Sequence, residues 1–354
     1  MTDLRAGAVP PPLPHPRPAV EPALLVLLGL ALLVGVASGP VAIPWRTVAA
    51  IVLERLGLPL APTWTPVEAS IVWDLRLPRT LLALVVGAGL AGAGGVFQGL
   101  LRNPLADPYI IGVSAGAAFG ATVAIATGLT AGLVGLAATP LLAFAGAVGA
   151  LGVVYALARR GGDAPVEDLL LAGIAVSAFL GAVVSWLQLS GGENLQRVIF
   201  WLMGGFSGRS WPHLTMAAPL VAVGLAVAWL YGRDLNVLLL GDETARSMGV
   251  EVAAARRLLI AAGGLMAASG VAAAGLIGFV GLIVPHVLRL LVGPDHRRLI
   301  PASALGGASL LAAADVAART LLPSTELPVG ILTAMLGAPF FLLVLVRERR
   351  RFWT

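Results

Sequence analysis

The chain has 354 residues, of which 58% are hydrophobic and only 12% charged. Its mean hydropathy of +0.93, set against the roughly 25% charge of a soluble domain, defines an all-α polytopic membrane protein. All 23 basic residues are arginine, which excludes a Walker A phosphate loop or a Schiff-base lysine, and the lack of cysteine excludes disulfides and thiol chemistry. The arginines cluster at the ends of apolar segments and form no basic stripe, so the net charge of +5 points to no nucleic-acid partner.

Residues 1–22, MTDLRAGAVPPPLPHPRPAVEP, are proline-rich and aperiodic and read as a disordered cytoplasmic tail. A cleavable signal with 23–37 as its apolar region is the competing reading, and the long leader with Asp3 and Glu21 argues against it. Residues 23–354 then form one transmembrane domain. Apolar runs punctuated by Gly, Pro and Arg predict about ten spans: 23–43, 80–101, 109–128, 133–158, 167–190, 213–231, 254–275, 278–292, 300–320 and 328–346. The eighth is short, as suits a span buried in protein. With the N-terminus inside, 16 arginines fall on the cytoplasmic side and seven outside, which places both termini in the cytoplasm.

Residues 44–79 are expected to form a long outer loop and 232–255 an inner one. Between them Leu195 to Phe206 reads as a short interfacial helix, with Trp201 and Trp211 as membrane-boundary anchors. A faint echo links Phe97-Gln-Gly-Leu-Leu-Arg-Asn-Pro104 with Phe279-Val-Gly-Leu-Ile-Val-Pro285. The second span runs inward and the seventh outward, so such a repeat would be inverted, as in many transporters.

Arg76 and Arg79 stand just before the second span, three apart, and share a face if they form its first helical turn. Cations there oppose the helix dipole, so their placement calls for a reason other than stability. Snorkelling to lipid headgroups is the alternative, and Arg319 has Asp315 one turn before it. In the inner loop, Asp242-Glu-Thr-Ala-Arg-Ser-Met-Gly249 opens with carboxylates after Gly241 and stops at a glycine, the pattern of a short helix projecting into the cytoplasm. The histidines, His15, His213, His286 and His296, have no i,i+4 pair and read as structural or interfacial. Asn103 is expected to shape the turn after the second span. The small-residue runs 87–95 and 112–121 permit close helix packing.

Taken in order, RLPRT (76–80), GVFQGLLRNPLADPYIIGVSAGAAFGA (95–121), FWLMGGFSG (200–208), LLLGDETARSMGV (238–250), the block 275–319 and ELPVGILTAMLGAPFFLLVL (326–345) resemble the FecCD family of permeases of ATP-binding cassette importers. The resemblance runs from about residue 70 to the end and implies a type II importer permease fold. It implies a permease subunit that takes up a metal chelate (a ferric siderophore or haem, or cobalamin). The chain itself would be no enzyme and carry no cofactor, with ATP hydrolysis on separate ATPase subunits.

The implied partners are those ATPases, a periplasmic or lipoprotein substrate-binding protein, and a second permease, identical or homologous, in a bacterial inner or cytoplasmic membrane. The segment of about 234–252 becomes the coupling loop, carried by Gly241, Asp242, Glu243, Ala245, Arg246, Met248 and Gly249. In the family's cobalamin permeases the arginines matching Arg76, Arg79 and Arg319 face acidic residues of the binding protein, and the fifth and tenth helices line the path. A secondary transporter of a small solute, driven by an ion gradient, is the rival reading. It needs an intramembrane carboxylate relay, for which Asp315 and Glu326, near span ends, are the candidates.

Overall fold

The computed structural model describes residues 19–129, 135–159, 164–190, 194–322 and 325–352. Among them every regular element is helical: α1 (Val20–Ala37), α2 (Trp45–Arg55), α3 (Pro66–Ser70), α4 (Leu77–Leu100), α5 (Val113–Ala126), α6 (Gly135–Ala158), α7 (Val166–Ser190) and α8 (Leu195–Leu202). The second half holds α9 (Trp211–Leu230), α10 (Gly232–Leu238), α11 (Asp242–Ser247), α12 (Val252–Ala274), α13 (Val280–Val292), α14 (His296–Thr320) and α15 (Val329–Phe352). Seven helices are long and apolar enough to span a bilayer, and three shorter apolar ones, within α5, α13 and α15, complete the expected ten. The first span starts at Val20, inside the segment read as tail, and ends at Ala37. Residues 1–18 of that segment lie outside the described residues.

The outer loop 44–79 differs most from expectation. It holds α2, and from Pro66 the chain is continuously helical to Leu100. Thr65 and Glu68 start this helix with a capping box, so Arg76 and Arg79 are not in its first turn but about three turns along. The cause of the misreading is Pro78, which has no N–H for the carbonyl four residues back and so resembles a helix start. The helix absorbs the defect with a π-helical segment, Ile71–Arg76, in which Leu77 N–H donates to Val72 O.

The helices α4 and α12 form the centre, with 78% of each span window buried, against 17% for α1 and α7. Small residues make this possible. A Cβ on Gly87 would collide with the Gly307 carbonyl of α14, and one on Gly94 with the Gly281 carbonyl of α13, so these backbones touch. The short helices α5 and α13 both start from irregular segments, 103–112 and 275–279, that meet where Tyr109 Oη donates to Ile277 O at 3.0 Å. Irregular backbone at membrane depth is tolerated because it is enclosed by protein. Asn103 shapes its turn by accepting from Leu105 N–H at 2.9 Å.

The helix expected at 195–206 is α8. Trp201 does not serve as a boundary anchor, however. It lies in the core at 8% exposure, while Trp211 donates its indole N–H to Trp73 O.

Candidate docking and coupling sites

Two polar constellations lie at opposite ends of the helix bundle. At the first, Arg79 of α4 is bidentate to Asp315 of α14 (Nη2–Oδ1 2.8 Å, Nε–Oδ2 3.2 Å) and also holds Glu326 (Nη1–Oε2 2.9 Å) in the connection to α15. Asp315 is shared, since Arg319 Nε also stands 3.4 Å from its Oδ2. Arg319 further donates to Gly35 O at 2.7 Å and Ser38 O at 3.1 Å. Arg76 donates to Ala37 O at 2.9 Å and to Val41 O. These are carbonyls at and just past the C-terminal end of α1, the groups a helix leaves unsatisfied, and cations suit them.

The three predicted docking arginines therefore come together, but facing inward: Arg76 and Arg319 are 4% and 6% exposed and the Arg79 side chain 12%. The i,i+4 partnership of Arg319 with Asp315 is present. Sequence reading missed that Asp315 and Glu326 are the partners of Arg79, at separations of 236 and 247 residues. Asp315, held between two guanidiniums, is a structural ion-pair member and leaves the carboxylate relay of the rival reading without a free carboxylate at this position.

Beside this network opens a cavity of about 330 Å³, lined among others by Arg79, Trp201, Arg209, Asp315 and Glu326. Arg209 precedes α9 and its Nη1 lies 3.1 Å from His213 Nε2, while Ser210 and His213 close a capping box on α9. Of the other histidines, His296 is fully buried and its Nδ1 lies 2.7 Å from Asn236 Oδ1, and His286 packs edge-on to Phe340. His15 lies outside the described residues.

At the opposite end α11 occupies the predicted place in the 232–255 segment. Gly241 (φ 109°) and Gly249 (φ 84°) bracket it in backbone conformations open to glycine. Ala245 is fully buried, whereas Glu243, Arg246 and Met248 are exposed. Asp242 anchors the helix: Arg102 Nη2 binds its Oδ1 and Arg256 Nη2 its Oδ2, each at 2.8 Å. Burial works to raise this carboxyl, but hydrogen bonds and charge from Arg256 and then Arg102 outweigh it and hold it below the usual carboxylate range. Arg102 also donates to Leu238 O at 2.9 Å, and it does so from the left-handed region, at φ 49°. Asn236 Nδ2 ties the neighbouring α10 to Asp295 at 2.7 Å.

Seven long apolar helices and three shorter ones among the described residues, with polar constellations at both ends, define a polytopic helical membrane protein. The chain belongs to the FecCD transport family, whose model matches residues 25–347. It is 45% identical to the cobalamin import system permease protein BtuC of Halobacterium salinarum over 92% of this chain and 94% of that one. It is 40% identical to the hemin transport system permease protein HmuU of Yersinia pestis, over 84% and 91% of the two chains. Identity to the Fe(3+) dicitrate transport system permease protein FecD of Escherichia coli is also 40%, over 92% and 97%. Among solved structures, an inward-facing conformation of a metal-chelate type ABC transporter matches with a TM-score of 0.79 and 35% identity, covering 94% of this chain and 100% of that one.

Proposed function

We propose that this permease works as a two-fold dimer that admits a metal chelate, with ferric chelates including haem ranked above cobalamin. A binding protein delivers the cargo at the Arg79 end, and ATPase subunits drive the motion from the α11 end. Residues 23–354 form the permease domain, and both termini lie in the cytoplasm, as the arginine asymmetry supports. The observation that carries the reading is α11: a six-residue helix clamped to α4 and α12 through Asp242 yet exposing Met248, at 57% exposure. A clamped projection transmits displacement, whereas a loose one dissipates it in ordering entropy. The exposed apolar faces of α7 (Phe179, Leu189) and α15 (Met335, Leu336) support pairing of two permeases or burial against lipid.

Docking at the first end carries a constraint. Because Arg79 is occupied by Glu326, an acidic side chain of a binding protein has to displace that carboxylate, while the buried Arg76 and Arg319 contribute only their field. The test is reconstitution with the ATPase and binding protein in proteoliposomes. Chelate uptake that follows internal or external ATP, according to which face carries α11, supports the reading. Uptake by the permease alone on a proton or sodium gradient overturns it.

A further inference from the structure

The cavity beside Arg79 adjoins a second one of about 300 Å³, and the two share Arg79, Phe206, Ser207, Arg209 and Glu326. Together their walls hold four arginines (Arg76, Arg79, Arg209 and Arg319) against two carboxylates, Asp315 and Glu326. Both carboxylates are already bound by Arg79, and Asp315 also by Arg319. Arg209 is left with no acidic partner among the described residues. Its Nη1 lies against the imidazole of His213, and its Nε is buried without a hydrogen-bond partner among them. Burial lowers the guanidinium to about 10, which still leaves it charged at neutral pH. A second donor stands in the same wall: Trp201 is 8% exposed and its indole N–H is also unpartnered among the described residues. Arg209 is half-buried, and a cation or donor so placed is costly unless something accepts from it.

We infer that this cleft is a carboxylate-binding site, in which Arg209 receives the anion. The guanidinium fork matches a carboxylate in geometry as well as charge. Arg79 and Glu326, paired with each other in the same lining, contribute little net charge, so discrimination falls to Arg209. The inference builds on the importer reading by naming what the Arg79 end recognises: a carboxylate, borne either by the cargo chelate or by the binding protein.

The test is titration of the full-length chain in nanodiscs with citrate, at constant ionic strength, with triethyl citrate as the uncharged control. Saturable citrate binding is expected, weakened on the order of tenfold by Arg209→Gln, less by Arg209→Lys, and absent for the ester. Thermal unfolding of each variant separates loss of the site from loss of the fold. The site is overturned if wild type binds no citrate, or if Arg209→Gln and Arg209→Lys both bind it as wild type does. Two further arms assign the source. If Arg209→Gln removes the preference for haem over haem dimethyl ester, the cargo supplies the carboxylate; if it slows association of the binding protein, the partner does. No change in either arm marks an adventitious ion only and overturns the inference. Citrate binding requires neither ATP nor transport, so failure here and failure of the uptake assay are separate results.

Discussion

Arg102 and Asp242 stand 140 residues apart and meet in a 2.8 Å ion pair, which joins the end of a central membrane helix to the projecting helix α11. With Arg256 on the other carboxylate oxygen, Asp242 becomes the point through which α4 and α12 both hold α11.

Asp242→Asn should therefore leave the permease folded and bound to its ATPase while lowering substrate-stimulated ATP turnover several-fold. The half-exposed pair with Arg102 contributes about 1 kcal/mol or less, and the pair with Arg256, whose side chain is 7% exposed, carries more of any stability change. Arg102→Gly is the sharper variant, because glycine accepts the positive φ at this position, so the side chain is lost without a change of backbone conformation. Replacing 242–248 by a Gly/Ser linker should uncouple completely. Normal stimulated turnover in all three variants would remove the coupling role from α11.

The pH dependence of this anchor follows from its lowered pKa. A carboxyl whose folded value lies below its unfolded one stabilises the fold above the unfolded value, near 3.9 for Asp, and loses that stabilisation as pH falls through the folded value. The difference in thermal stability between wild type and Asp242→Asn should thus be flat from about pH 5.5 to 8 and shrink only in acid, below about pH 4. A difference that changes between pH 6 and 8 would show that another group sets it.

Arg79→Ala leaves Asp315 buried with one cation instead of two and Glu326 with none of its own. Removing one partner from a buried network costs about 3–5 kcal/mol, so thermal unfolding in detergent should shift clearly downward. The double variant Arg79→Ala/Asp315→Ala should recover part of the loss, since the uncompensated charge is then gone. Equal stability of wild type and Arg79→Ala would mean that the network carries no weight.

Docking and masking make opposite demands on Glu326. If Arg79 receives an acidic residue of the binding protein, Glu326→Ala unmasks it and should raise the association rate a few-fold, while Arg79→Glu should cut it sharply. Both differences should fade as salt rises. Stopped-flow association with Glu326→Ala no faster than wild type would place the docking contacts elsewhere, with the helix-bearing segment 45–70 the next candidate.

The ten spans and α11 are legible in the sequence because their signals are local: apolar runs, and carboxylates followed by a glycine stop. Elsewhere the signal is either misleading or remote. Pro78 looks like a helix start, and only the π-helical register upstream reveals that the helix passes through it. Tryptophan beside a glycine pair resembles a membrane anchor, yet Trp201 is enclosed by the core it packs against. The partners of Arg79 lie on helices that tertiary packing alone brings near, and no spacing rule relates residues 79, 315 and 326. The inward turn of Arg76 and Arg319 depends likewise on where α1 ends, at Ala37 and not at 43.

The backbone contact between Gly87 and Gly307 limits where this molecule can move. Two helices whose carbonyls and Cα atoms touch have no side-chain layer to slide on, and α4 and α14 must travel together, bringing α1 and α13, which pack on them. A second bundle, α5, α6 and α7, makes its closest contacts within itself and reaches the first chiefly through α12. α12 is thus the seam between the two groups of helices, the first of which is the frame. Enlarging Gly87 or Gly307 would do more than weaken the protein. It would insert a bearing surface into the frame, and a push delivered at one face would be spent in slip before reaching the other.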